Sequence, residues 1–594
     1  MSYRRKKLLA LFCATALSMT AVAGCTGTKS STGNVVSSET ETNAEETSAQ
    51  SEAGTFSSAD MFTERDLAGT YEESGAVYVT LSDDGITGET DGVAINGQMV
   101  TITAEGTYIF SGTLSEGQIV VDADNAKVQI VFDNVDITCA SSAAVYVKSA
   151  EKVFVTLAEG SQNTLRNTDE YVAIDDNNID AVIFAKSDLT LNGTGSLTII
   201  SAEGHGIVSK DDLKIIGGTY DITAAGHALS GKDSVRIADG TFILTAEKDG
   251  IHAENADDEE KGYIYIADGD FTITSDGDGM DASNIVQIED GTLDITAGGG
   301  SANSLKTHES DVPGGPGGGM PQNGEKLDGE SMPQMGEKPD GENMPQDTTT
   351  DESGTSTKGI KAGGGMYLNG GTYQIDSADD SIHSNANITI ADGTYTLATG
   401  DDGVHADDAL IVNGGTITVT ESYEGLEGLA VTINDGTIDI TASDDGINTA
   451  GEKMELNGGY IHILAGGDGV DSNGDLTING GEIYIDGPSD NGNSAIDYGD
   501  RSSAYVNGGT LVAIGSSGMA EVMSDSSKQK VLMVKLGEQM EAGNVVLTDS
   551  EGNVIVSYTA LKTYDCVIIS TAEVESGATY TLTTSGTTTE VTAE

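Results

Sequence analysis

Carboxylates recur at one phase of a short repeat through the second half of this chain, and oxygen donors in that arrangement bind cations. The tripeptide Asp-Gly-(Ile/Val/Met), followed by His, Asp or Asn, reads Asp249-Gly250-Ile251-His252, Asp278-Gly279-Met280-Asp281, Asp402-Gly403-Val404-His405, Asp445-Gly446-Ile447-Asn448 and Asp468-Gly469-Val470-Asp471. Asp380-Ser381-Ile382-His383 and Glu424-Gly425-Leu426-Glu427 keep the phase with looser chemistry. A spacing of about 22 residues between coils means stacked units with acids down one edge. Two residues after each Gly comes a second outward position, occupied by His252, Asp281, His383, His405, Glu427, Asn448, Asp471 and, in a degenerate last coil, Asp497. Two such columns form a groove.

Adjacent coils stand roughly 4.8 Å apart. Like charges at about that distance repel by roughly 1 to 3 kcal/mol at intermediate dielectric, so the columns favour a bound cation. Calcium, satisfied by six to eight oxygens, fits such a donor set best. Further acids precede the corner at Asp276, Asp379, Asp401 and Asp444. The candidate calcium ligands are therefore Asp249, Asp278, Asp281, Asp379, Asp380, Asp401, Asp402, Asp444, Asp445, Asp468 and Asp471. Asp-Gly is also ordinary turn chemistry, because Asp bonds to nearby backbone amides; recurrence of two columns in phase favours the ion. The string from Gly466 to Asp471 resembles the calcium-binding nonapeptide of secreted toxins, but Asn473 stands where that motif needs an apolar residue and no nine-residue period follows. His205 and His227 fall at the first position, and His252, His383 and His405 at the second. They could serve zinc or copper, yet their spacing varies and no Cys accompanies them, so solvated turn histidines are expected.

The elements that hold these columns are readable from a second signature, a turn of the Asn/Asp-Gly-Thr or Gly-Gly-Thr kind. Its central glycines are Gly218, Gly240, Gly269, Gly291, Gly371, Gly393, Gly415, Gly436, Gly459, Gly481 and Gly509. A sharp corner between short strands asks for positive φ, which a Cβ opposes. Around each glycine apolar residues alternate with polar ones, as in Val235, Ile237, Phe242, Leu244 and Ala246, and period two means strands with one face inward. Three short strands fit one coil; a useful helix does not. The predicted fold class is all-β, a right-handed parallel β-helix with a small C-terminal β cap. Residues 60–195 should form an N-terminal cap and irregular coils, 196–515 the regular coils, 300–358 a disordered insertion rich in Pro, Gly and Met, and 525–594 the cap that covers the last open edge. Tyr220, Tyr373 and Tyr395 follow the Gly-Thr corner, where Phe242 and Ile417 also occur, so they are expected to fill the core.

Composition agrees. Among 594 residues there are 78 Gly, no Trp and 5% aromatics, which suits tight turns and small strands. A net charge of −68 excludes nucleic acid as a partner, since phosphate binding needs cations this chain lacks. Arg4, Arg5, Lys6 and Lys7, an apolar stretch, and Val22-Ala23-Gly24-Cys25 resemble a bacterial lipoprotein signal with its lipobox, so residues 1–25 are expected to be a signal with Cys25 as the lipidation site. Residues 26–58 then read as a flexible tether, and the protein is placed on the extracellular face of a bacterial cell membrane, held only by lipid. Cys139 and Cys566 read as buried apolar residues, not a disulfide scaffold.

Together the lipobox, the Asp-Asp-Gly corners, the Asn-Gly-Gly-Thr turns, the Gly/Met/Pro-rich insertion and the β cap resemble the bacterial carbohydrate-binding β-helix family of clostridial cell-surface proteins, over residues 75–590. That resemblance implies a pectate-lyase-like β-helix that binds calcium and acidic plant polysaccharide, polygalacturonate above all, with cellulose-type glucans a second ligand class. The Asp-Asp-Gly corners would be its calcium sites; the sugar-binding residues are left open. Calcium shared between protein and sugar carboxylates would bridge two polyanions. The chief rival is a calcium-dependent polysaccharide lyase, which needs an Arg or Lys base; Lys210, Lys232, Arg236, Lys248 and Arg501 are scattered and none repeats beside an Asp cluster. A structural adhesin is the third class.

Overall fold

The computed structural model describes residues 55–88, 90–306, 356–451, 453–499 and 501–593. The predicted signal with Cys25, most of the tether and residues 307–355 of the insertion lie outside them. The described residues are all-β: helix is confined to one α-turn, Glu64–Leu67, and two 3-10 turns, Ser58–Asp60 and Ser301–Asn303.

Strands mostly come in threes, each pairing in parallel with its equivalent one unit on, and in Val404–Val412 and Leu426–Ile433 corner and back strands merge into one. The unit around residue 245 shows the pattern. Back strand Ser234–Ile237 pairs with Tyr263–Ile266, long strand Thr241–Ala246 with Asp270–Ser275, and corner strand Ile251–Ala253 with Met280–Ala282. Three parallel ladders result: a back ladder, a long ladder and a corner ladder. Alternation sets the burial. In Thr241–Ala246 the inward Phe242, Leu244 and Ala246 are buried while Thr241, Ile243 and Thr245 are exposed. Register carries each inward position to its equivalent, so Tyr220, Phe242, Phe271, Leu293, Tyr373 and Tyr395 stack as one column. Tyr220, Tyr373 and Tyr395 are buried as expected, and each hydroxyl donates to a backbone carbonyl, that of Gly217, Gly370 and Asp392 respectively. One apolar core runs from Val79 to Ile568.

The turn from back to long strand carries the glycines expected to need positive φ, from 85° at Gly459 to 147° at Gly240. Beside them runs an asparagine ladder that was not foreseen: each amide nitrogen donates to the amide oxygen one unit earlier, Asn434 to Asn413, Asn457 to Asn434, Asn479 to Asn457 and Asn507 to Asn479, at 2.8 to 2.9 Å. Glycine at the other corner serves a different need. A Cβ on Gly446 would lie 2.2 Å from Ile463 Cγ2 and 2.5 Å from Gly469 O, so this Gly lets successive corners approach.

The insertion leaves from the connection between long and corner strands. Thr292–Ala297 pairs with Thr372–Ser377 and Met280–Ala282 pairs with Ile360–Ala362, so the strands on either side keep the register of neighbouring units. At the other end, Thr510–Gly515 pairs antiparallel with Tyr564–Ser570, and strands Gly543–Thr548, Val554–Ala560, Thr579–Thr584 and Thr587–Thr592 form a separate antiparallel sheet with its own core. That reversal of direction occupies an edge that would otherwise be open to pairing.

Residues 55–58, inside the predicted tether, are docked. Phe56 is buried against Tyr263, with ring centroids 4.3 Å apart, and its backbone exchanges two hydrogen bonds with the Gln287 side chain. Apolar burial and an amide pair outweigh the chain entropy that composition alone suggested. Cys139 and Cys566 are buried free thiols, as expected.

Candidate functional site: an acid groove along the corner ladder

First-position side chains are tied to one another through the backbone. Oδ1 of Asp249 accepts the Asp278 N–H at 3.0 Å, Oδ1 of Asp278 that of Lys358 at 2.7 Å, Oδ1 of Asp380 that of Asp402 at 3.2 Å, Oδ1 of Asp402 that of Glu424 at 3.2 Å, and Oδ1 of Asp445 that of Asp468 at 2.6 Å. His205 and His227 do the same with Nδ1, accepting from His227 and Asp249 at 2.8 and 3.2 Å. The turn-chemistry and ion readings are thus compatible. One oxygen of each Asp holds the next unit in register, and the other, Oδ2, is left for the groove. The second column is equally regular: His252, Asp281, Lys361, His383, His405, Glu427, Asn448, Asp471 and Asp497 are successive register partners.

Along this groove the carboxylates meet three different environments. In the middle, lysines fill it. Lys358 Nζ lies 2.5 Å from Asp380 Oδ2 and 3.0 Å from Asp379 Oδ2; Lys306 Nζ lies 2.7 Å from Asp379 Oδ1 and also contacts Asp401. Lys361 sits 3.3 Å from Asp281 and 3.6 Å from Asp278. Burial alone would raise Asp380, which is 1% exposed, yet Lys358 and His383 hold it well below the usual carboxylate range. Burial pushes Asp278 up to about 7 in spite of Lys361. Asp379, Asp380 and Asp401 do converge, as do Asp402, His405 and Glu427, but the first cluster already contains its cations. Lys306, Lys358 and Lys361 were absent from the basic residues singled out in the sequence. Lys358-Gly359-Ile360-Lys361 occupies the corner phase without an acid, and Lys306 lies far outside any repeat.

Toward the C-terminal end Asp444, Asp445, Asp468 and Asp471 differ. Carboxylate oxygens of Asp445, Asp468 and Asp471 lie within 4.8 Å of one another. Among the described residues no Lys, Arg or His pairs with them or with Asp444. Burial, reinforced by neighbouring carboxylates, pushes Asp445 up to about 8, Asp468 to about 7 and Asp471 to about 6. Gly467 roofs the cluster: a Cβ there would come within 2.2 Å of Asp444 Oδ1 and 2.4 Å of Asp445 Oδ1. The donors are hard oxygens, close together, shielded and uncompensated, which suits calcium.

At the N-terminal end histidines replace acids. They are not the solvated turn residues expected. His205, His227 and His252 stack with centroids 4.8 and 4.1 Å apart, and His227 and His252 approach Asp249 Oδ2 at 3.0 and 2.9 Å. His205 and His227 are equivalent first-column positions one unit apart, whereas His252 belongs to the second column of the next unit and turns its ring across to His227, a contact that no count of residues between histidines displays.

Outward aromatics lie on the long ladder near the C-terminal sheet, where Tyr460, Tyr484 and Tyr558 are successive neighbours at 5.7 and 5.2 Å. Only Tyr460 among these three is more than a third exposed.

Comparison with known proteins adds a family. A family model described as carbohydrate-binding domain-containing protein matches residues 96–403 and 401–553. A carbohydrate-binding domain-containing protein of Acetivibrio thermocellus is 41% identical over 135 residues, 22% of this chain and 47% of the relative; the chain thus spans about half the length of the curated relative it matches. A polysaccharide lyase-like protein from C. thermocellum, solved as a gadolinium derivative, shares 36% identity over 38% of this chain and 92% of its own, with a TM-score of 0.37. The two matched stretches together span most of the chain, and the protein belongs to the family of carbohydrate-binding domain-containing proteins.

Proposed function

We propose that this protein binds acidic polysaccharide without cleaving it, through calcium held at Asp444, Asp445, Asp468 and Asp471. The supporting fold reading is a right-handed parallel β-helix, in which the three ladders close on one core and the acid groove lies along one outer corner. Family membership supports a carbohydrate ligand. Net charge supports a cation bridge, because a chain of −68 repels a polyuronate unless divalent ions stand between them. The observation that carries the reading is the Asp445–Asp468–Asp471 cluster, whose raised carboxylates have no side-chain cation among the described residues. An ion there would replace protons with a stronger partner.

Lyase chemistry needs a base with a free lone pair near neutral pH. The lysines at the groove are poor candidates: carboxylates around Lys361, Lys358 and Lys306 outweigh burial and raise all three above the ordinary lysine value. Anchoring through Cys25 on the outer face of a bacterial membrane completes the proposal, with polysaccharide captured outside the cell.

Calorimetry with calcium, then with polygalacturonate, tests it. Expected are calcium uptake by the chelated protein and polygalacturonate binding that disappears with chelator. Calcium-independent binding of cellulose-type glucan alone would reject the bridge, and ultraviolet absorbance from unsaturated uronate, lost on substituting one groove lysine, would replace binding with catalysis.

A further inference from the structure

Away from the acid groove, the outward row of the long ladder is broken once by an aromatic. Successive register partners at its first outward position are Thr394, Thr416, Thr437, Tyr460, Glu482 and Thr510. Threonine suits an outward strand position, and the core asks for no phenol there, because this side chain points away from it. Tyr460 is 41% exposed; among the described residues Tyr78 is the other aromatic so open to solvent. Tyr460 stands in an open groove of about 630 Å3, shared with Asp435, Thr437, Glu482 and Thr510. The turn glycines of four successive units, Gly436, Gly459, Gly481 and Gly509, line it as well, so part of its wall is bare backbone. At roughly 4.8 Å per unit these glycines span about 14 Å along the ladder. That is the shape of a groove for a chain, not of a pocket for one small molecule.

Tyr460 is held from one side. Its ring lies 5.7 Å from that of Tyr484 at a tilt of 43°, and Tyr484 stacks on Tyr558 of the C-terminal sheet at 5.2 Å and 12°. The Tyr558 hydroxyl donates to Asp486, a fully buried carboxylate that also accepts the Leu561 N–H at 2.8 Å. A ring backed by two anchored rings is fixed before any ligand arrives, which spares the ordering cost of binding. Charge narrows the ligand. Among the described residues no Lys, Arg or His lines the groove, and its two carboxylates, Asp435 and Glu482, belong to no convergent acid cluster. Asp435 Oδ1 accepts the Gly436 N–H at 2.8 Å, which leaves Oδ2 as an acceptor. Isolated acceptors of this kind suit sugar hydroxyls and repel a uronate.

We propose that this groove, with Tyr460 as its platform, is a second binding site, one that takes a neutral polysaccharide chain without calcium. The inference rests on membership of the carbohydrate-binding family and not on the calcium cluster. A sugar ring lays its C–H face on the phenol, whose π face is negative. Its hydroxyls donate to Glu482 and Asp435 and bond with those of Thr437 and Thr510, the usual pairing of an apolar surface with a few placed polar groups.

Calorimetry on the full chain in chelator, with hydroxyethylcellulose and arabinoxylan as neutral probes, provides the test. Expected is binding of at least one of them, with an affinity that millimolar Ca2+ leaves unchanged. Tyr460→Ala, checked for folding by circular dichroism, should weaken that binding at least about tenfold. Tyr460→Phe should retain most of it, and Glu482→Gln should weaken it by a smaller factor than Tyr460→Ala. Tyr78→Ala and Asp445→Asn/Asp468→Asn should leave it in place. No binding of either probe, binding that requires calcium, or equal affinity in the parent and Tyr460→Ala would overturn the site. Polygalacturonate binding with calcium is measured alongside and should survive Tyr460→Ala; its absence in the parent would reject the calcium bridge alone.

Discussion

Two stretches of the same groove, built on the same corner geometry, differ in what neutralises them. Around Asp379, Asp380 and Asp401 the ammonium groups of Lys306 and Lys358 lie within the carboxylate cluster, whereas Asp445, Asp468 and Asp471 have no cationic side chain beside them among the described residues. The first stretch is a completed internal ion-pair network. The second is an incomplete one that an external ion can finish. An acidic repeat motif therefore marks a place where a cation belongs, and the surroundings decide whether the protein supplies it.

The sharpest way to break this contrast is to remove the internal cation. Lys358→Met leaves Asp380 buried with His383 still beside it but without its ammonium partner, at an expected cost of up to about 3 to 5 kcal/mol, read by chemical denaturation. Millimolar calcium should recover part of that loss in the variant and little in the parent; equal calcium effects on both would erase the distinction between the stretches. Next in size, Asp445→Asn/Asp468→Asn should reduce calcium affinity by about 100-fold, or about 2.7 kcal/mol, in calorimetry, while Asp379→Asn/Asp401→Asn leaves it unchanged. Burial of apolar side chains at about 1.5 to 3 kcal/mol each exceeds the repulsion between neighbouring corners, so the first of these double variants should remain folded.

Acidity sharpens the comparison further. Asp445, Asp468 and Asp471 are raised to about 8, 7 and 6, so between their unfolded values near 4 and those values the native state holds more protons than the unfolded state. Stability of the calcium-free protein should then fall as pH rises from about 4 to 8. Calcium should restore it most at the alkaline end, its affinity growing by up to about tenfold per pH unit for each proton displaced. A melting temperature that rises over that range without calcium would contradict the assignment. The smallest expected effect belongs to Gly467→Ala, whose Cβ would push aside the Asp444 and Asp445 carboxylates. Calcium binding should weaken roughly tenfold, with the melting temperature of the calcium-free protein little changed.

Much of this was readable in the chain because it depends on local rules. Alternation gives inward Phe242, Leu244 and Ala246, the Gly-Thr turns need positive φ, and a constant phase puts Asp445 over Asp468. The histidines were seen in the right columns but misjudged, since stacking of His205, His227 and His252 depends on ring orientation across units. The docking of Phe56 on Tyr263 escaped notice for a similar reason: a Thr/Ser/Glu-rich run gives no sign of the one aromatic that finds a pocket 207 positions away.

Sequence by itself determined that acids would stand in register along one corner, because period and phase are properties of neighbouring residues. Only the tertiary structure decided which of those acids still lack a cation. Lys358 stands one 22-residue period before Asp380, but Lys306 reaches Asp401 across 95 residues from outside the repeat, and an electrostatic partner of that kind is chosen by distance in space, which no local pattern encodes.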